Sequence, residues 1–145
     1  MRIFIAVACA IVLLCASCKK TLTAVEQRSI LEVYFEQNIL NRDFKVSYAV
    51  DNGTNLTAQY DGYLFRLLKT TLLNGPLTAT KAGVTYNGTW SSNDDYSKLV
   101  ITLPISPSEF GFLIREWKFT KKAVPTMELA PWGSVEPKVL HMERL

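Results

Sequence analysis

From Phe44 onward the chain is cut by turn-forming residues into short stretches that alternate apolar and polar side chains, and this spacing constrains the fold more than any other feature. Phe44, Val46, Tyr48 and Val50 alternate with Asp43, Lys45, Ser47 and Ala49, then meet Asp51-Asn52-Gly53, a sequence suited to a tight hairpin turn. Further stretches with strand character cover residues 63–69, 77–81, 84–91, 98–103, 112–120, 126–130 and 138–144. They are separated by Asp61-Gly62, Asn74-Gly75-Pro76, Ala82-Gly83, Ser92 to Asp95, Pro104 to Pro107, Pro125, and Pro131 to Pro137. The Ala82-Gly83 link is too short for anything but a hairpin, and few links leave room for the crossover a parallel pair needs. Eight such strands predict a mainly β fold, an antiparallel sheet closed as a sandwich or a small barrel.

One segment before the strands has a different period. Thr23-Ala24-Val25-Glu26 matches a capping box, in which the two side chains satisfy opposite orphan amides. Leu31, Phe35 and Ile39 then recur every four residues, which predicts a helix over 23–41. The same stretch also alternates, with Leu31, Val33 and Phe35 against Glu32, Tyr34 and Glu36, so a strand stays open as the alternative.

The N-terminus reads as an address. Met1-Arg2, the apolar run from Ile3 to Leu14, and Cys15-Ala16-Ser17 before Cys18 have the parts of a secretory signal over residues 1–17. The apolar run is shorter than the ~20 residues a membrane span requires. Leu14, Cys15, Ala16 and Ser17 ahead of Cys18 resemble a lipobox, in which small residues fit the narrow peptidase pocket and the cysteine thiol takes the lipid. All three cysteines, Cys9, Cys15 and Cys18, lie in this region, so a processed chain keeps only Cys18 and forms no disulfide. The expected organisation is signal 1–17, lipidated tether 18–22, and one domain over 23–145. Net charge is +3, and no basic run interleaves with aromatics, which argues against a nucleic-acid partner.

Several short patterns carry a family resemblance. Asp51 to Thr57, Gly62-Tyr63-Leu64-Phe65, Gly88-Thr89-Trp90, Trp117 and the closing strand together look like the small lipocalin-like lipoproteins common in Bacteroidota, and Cys18-Lys19-Lys20 fits the same group. The resemblance covers most of residues 43–145. It implies a meander curled into a barrel or half-barrel, with three acyl chains on the cysteine, and little about activity.

Residues able to do chemistry are sparse. His141 is the single histidine, and its alternation with Leu140 and Met142 turns it away from the core, so neither a triad nor a zinc site can be assembled. Asp94-Asp95 reads as a solvated turn, and Asp51 to Asn55 as a β-turn with a faint likeness to a calcium loop. Asn52, Asn55 and Asn87 open Asn-x-Thr triplets that read as turn chemistry behind a bacterial lipobox. Lys118, Lys121 and Lys122 read as a solvated strand edge, with attraction to lipid headgroups as the sharper alternative. Trp132 is expected to be partly exposed in its loop. Trp90, Trp117, Tyr63 and Phe65 are expected inside, as core or as walls of an apolar ligand site.

The expectation is therefore a non-enzymatic, lipid-anchored domain with no cofactor or metal, binding a small apolar ligand or an envelope protein. A structural accessory with a filled interior is the alternative. No aspartate follows Cys18, so the outer membrane, with the domain facing the periplasm, is the expected location.

Overall fold

The computed structural model describes residues 22–145. One helix, α1 (Ala24–Asn38), precedes nine strands: β1 (Asp43–Asp51), β2 (Thr54–Asn55), β3 (Leu64–Leu67), β4 (Asn74–Lys81), β5 (Val84–Ser92), β6 (Lys98–Thr102), β7 (Arg115–Lys122), β8 (Thr126–Pro131) and β9 (Lys138–Arg144). Every pairing is antiparallel, and β1 pairs with β9 from Phe44↔Arg144 to Asp51↔Lys138. That last ladder closes β1 and β3 to β9 into an eight-stranded barrel, with β2 as an extra strand beside β1. Closure removes the open edges that would otherwise invite pairing with another chain.

Local chemistry accounts for the elements. Thr23 and Glu26 form the expected capping box: the Glu26 amide donates to Thr23 Oγ1 at 3.2 Å, and the Thr23 amide donates to Glu26 Oε2 at 2.9 Å. The helical alternative is the one adopted. The helix ends sooner than the pattern predicts, because Asn41 takes φ 55° and its amide donates to Leu67 O at 2.8 Å, turning the chain into β1. Asn52 and Gly53, at φ 48° and 82°, make the two-residue turn between β1 and β2, and Ala82-Gly83 does the same between β4 and β5.

The structure corrects four details. Tyr48 and Val50 do not share the inward face of Phe44 and Val46. The register against β9 slips between Val46 and Tyr48, so a bulge at Ser47 turns Ala49 inward and Tyr48 out. Asn74-Gly75-Pro76 is not a break but the start of β4; the turn before it is held by Thr71 Oγ1, which accepts from the Leu73 and Asn74 amides at 3.1 Å each. Residues 112–114 are not strand. Phe110–Leu113 is a single helical turn, α2, and β7 begins at Arg115. Finally, β2 and the 3-10 turn Thr57–Tyr60 stand between the first two predicted strands, where the strand pattern gave no element.

Two glycines permit close backbone approach. A Cβ at Gly75 would lie 1.9 Å from Leu68 O, and one at Gly88 would lie 2.0 Å from Thr102 O. Gly88 thus makes room for the neighbouring backbone of β6.

The core is a single cluster, and among the described residues every buried one is apolar or aromatic. Apart from Phe44, its aromatic rings fall into two groups at opposite ends of β5. Phe35 of α1 meets Trp90, Tyr96 and Phe119 at centroid distances of 5.7, 4.9 and 6.1 Å. Tyr86, about 13 Å back along β5 from Trp90, meets Phe110 at 5.2 Å, which in turn meets Tyr63 at 5.3 Å and Phe65 at 6.5 Å. Helix α1 therefore stops one end of the barrel, and α2 with the 3-10 turn stops the other.

Candidate functional site

The four residues expected inside, Trp90, Trp117, Tyr63 and Phe65, are all inside, each at most 3% exposed. They do not line one space. Tyr63 and Phe65 lie 5.8 Å apart, and Trp117 reaches the same group through Phe112 at 5.4 Å and Tyr60. Trp90 belongs to the other end, against Phe35. Both indoles are satisfied by main chain: Trp90 Nε1 donates to Leu68 O at 2.7 Å and Trp117 Nε1 to Leu113 O at 2.9 Å. A buried donor without such a partner would cost about 1–3 kcal/mol.

Other buried side chains find partners of their own. Tyr60 donates to Glu109 O at 2.7 Å, and Tyr63 donates to Glu109 Oε1 at 2.9 Å. Burial, and then the Glu109 carboxylate, pushes the Tyr63 hydroxyl up to about 12, and burial raises Tyr60 above the usual tyrosine range as well. Tyr96 is the exception: its hydroxyl is buried with no hydrogen-bond partner among the described residues, on a backbone at φ 56°. Phe110 escaped the sequence reading and Phe112 was placed in a strand, because Phe-Gly-Phe spacing imitates one, whereas both are buried from one helical turn.

The grooves found lie on the outside. One, of about 410 Å³, runs over the outer face of β3 to β5, lined by Leu64, Leu68, Thr78, Thr80, Thr85 and the Asp43–Arg66 pair. That pair is held by two hydrogen bonds of 2.8 and 2.5 Å, and the guanidinium holds the Asp43 carboxyl below the usual carboxylate range. A second, of about 440 Å³, is lined by Thr70, Asn74, Gly75, Pro76, Thr89, Trp90 and Ser91. Smaller grooves follow α1, where Leu22, Gln27, Ile30 and Leu31 line about 280 Å³.

The remaining candidates are accounted for by local contacts. His141 lies outward between the inward Leu140 and Met142, with its ring 5.2 Å from Tyr48. Asp95 accepts from the Ser97 hydroxyl at 2.5 Å and its amide at 2.9 Å, and these bonds hold its carboxyl low. Asp51 pairs with Lys138, which lowers the carboxyl and raises the ammonium. Among the described residues no three His, Cys, Asp or Glu side chains are grouped as metal ligands.

Asn52 sits in the first hairpin turn, Asn55 Oδ1 accepts from the Thr57 amide at 2.9 Å, and Asn87 is exposed on β5. Lys118 lies on a strand bonded on both sides, so it guards no edge. Lys121 and Lys122 lie where β7 overhangs β6, with Lys121 paired to Glu128 and Lys122 5.3 Å over the Phe119 ring. Trp132 is half-buried, with Lys98 5.1 Å over its ring. Cys18 and the lipobox residues Leu14 to Ser17 lie outside the described residues. No described helix is long and apolar enough to cross a membrane.

No family model matches the chain, and no curated protein matches it. Among solved structures it is similar to the NMR structure of a protein from Burkholderia xenovorans, at 16% identity and a TM-score of 0.51 over 77% of this chain and 86% of that one. That likeness concerns the fold alone.

Proposed function

We propose that the protein is a lipid-anchored envelope lipoprotein whose barrel acts through its outer surface, as a non-enzymatic interaction accessory of an envelope protein. The observation that carries the reading is the filled interior. Two aromatic groups stop the two ends of the barrel, and both tryptophans bond to main-chain carbonyls. A barrel that holds a small molecule needs space among its inward residues. Here those residues touch one another, while the grooves lie outside. Anchorage rests on Leu14 to Cys18, and the outer membrane with a periplasmic domain is the location this reading adopts. The contacts that engage His141, Asp51 and Asp95 locally support a role without catalysis.

The barrel architecture also favours a second reading, a small apolar ligand held against Trp90, Trp117, Tyr63 and Phe65. Native mass spectrometry of the full lipidated protein, released from detergent, separates the two. A mass equal to the acylated chain is the expected result. A reproducible extra mass that leaves on denaturation would overturn the filled-barrel reading and identify a ligand.

A further inference from the structure

Helix α1 carries apolar side chains on two sides. One side carries Leu31 and Phe35 into the barrel. At 100° per residue, Val33 lies almost directly opposite that side, flanked by Val25 and Ile30. These three are 50%, 78% and 55% exposed, and Leu22 continues the strip at 41%. Ser29, Gln37 and two carboxylates share that face, Glu26 in the exposed capping box and Glu36 paired with Lys69. A surface helix of a small domain ordinarily keeps its outer face polar. Val124, 42% exposed in the link from β7 to β8, adjoins the Tyr34 side of the same helix.

We infer that this outer face of α1 lies against the lipid bilayer that holds the anchor. The inference rests on the proposed lipidation of Cys18. Only Lys19, Lys20 and Thr21 separate that cysteine from Leu22, and a fully extended chain of this length reaches no more than about 14 Å. The helix thus begins next to the headgroups, and its exposed strip is the apolar surface nearest to them. Apolar side chains so placed can enter the boundary between headgroups and acyl chains while the polar groups among them stay with the headgroups. Lys19 and Lys20, beside the anchor, add attraction to anionic headgroups. The barrel would then stand on its α1 end, with the α2 end, where Val135 is fully exposed, turned to the solvent.

The test uses the full chain, lipidated in a bacterial host and reconstituted into vesicles of phosphatidylethanolamine and phosphatidylglycerol. With Cys18 acylated, a Val33→Cys substitution supplies the single free thiol for a bimane label, and Val135→Cys supplies the control. The label at Val33 is expected to be quenched by brominated acyl chains and shielded from aqueous iodide, with the reverse at Val135. An Ile30→Cys label gives a second reading should Val33→Cys fail to fold. An intact mass without acyl groups overturns the anchor and the docking together. An acylated, vesicle-bound protein whose Val33 label is quenched by iodide as strongly as Val135 overturns the docking alone. Shielding from iodide without quenching by lipid also overturns it, and points to a protein or a second copy covering the face.

Discussion

At one end of the barrel the stopper is α1, a helix that precedes the sheet in sequence and inserts Phe35, with Ile39 and Leu40 buried just past its end. At the other end it is built from links within the sheet, the 3-10 turn after β2 and α2 before β7. The helical stopper is joined to the barrel by apolar packing, by Asn41, and by pairs such as Arg144 with Asn38 at 3.1 Å. The internal stopper is cross-linked by polar bonds: Tyr60 and Tyr63 to Glu109, and Asp51–Lys138–Glu136–Arg115 around its rim. The difference shows two ways to close a small barrel. An apolar plug can separate as a unit, whereas a plug made of the barrel's own connections cannot leave without opening strands.

The largest effects should come from the plugs themselves. Trp117→Ala and Phe35→Ala each remove a fully buried aromatic and should cost about 3–5 kcal/mol in denaturant unfolding. Their consequences should differ in extent. Phe35→Ala should speed amide exchange chiefly in α1, while Trp117→Ala should speed it in strands throughout. Equal patterns in the two variants would remove the distinction between the ends.

The tyrosines give a finer contrast. Tyr60→Phe leaves Glu109 O without its donor and should cost about 1 kcal/mol or more. Tyr96→Phe, at the α1 end, deletes a hydroxyl that has no partner and should be neutral or stabilising. The pair can be measured by thermal and denaturant unfolding of the same preparations.

Alkali should act on the same groups. The Tyr63 hydroxyl is raised from 10.0 to about 12, because burial and Glu109 disfavour its charged form. A raised pKa means stability is complete below about pH 10 and falls as pH climbs towards 12. Unfolding followed across that range should show the loss, and Tyr63→Phe should flatten it.

The smallest effect should come from the rim. Lys138 holds Asp51 below the ordinary carboxylate range, so its contribution is present at neutral pH and is lost as pH falls below the unfolded value of 3.8. Asp51→Asn should change stability little at pH 7 and flatten the acid limb, and high salt should mask the difference.

Much of this architecture is written locally. Thr23 and Glu26 meet across one helical turn, and Asn52-Gly53 and Ala82-Gly83 need only their own backbone angles, so each was legible from adjacent residues. The strand from Lys138 to Arg144 was legible for the same reason, since alternation repeats every second residue. The bulge at Ser47 was not, because only the ladder with β9 reveals which side Tyr48 takes. Phe112 was read as the start of a strand and Phe110 was given no element, because their spacing suits either state; burial between Tyr63, Tyr86 and Trp117 decides for the helical turn. Similarly, Trp90, Trp117, Tyr63 and Phe65 were legible as interior but not as members of two separate groups.

The sequence alone thus determined the antiparallel hairpins and the capping box at Thr23 and Glu26, and it offered Cys18 as a candidate anchor. These depend on interactions within a few residues or on a motif read in order. Closure of β1 on β9, the two stoppers, and the contacts among the interior rings were decided only by the tertiary structure. Each depends on contacts between residues far apart in sequence, where neither spacing nor propensity says which side chains will meet.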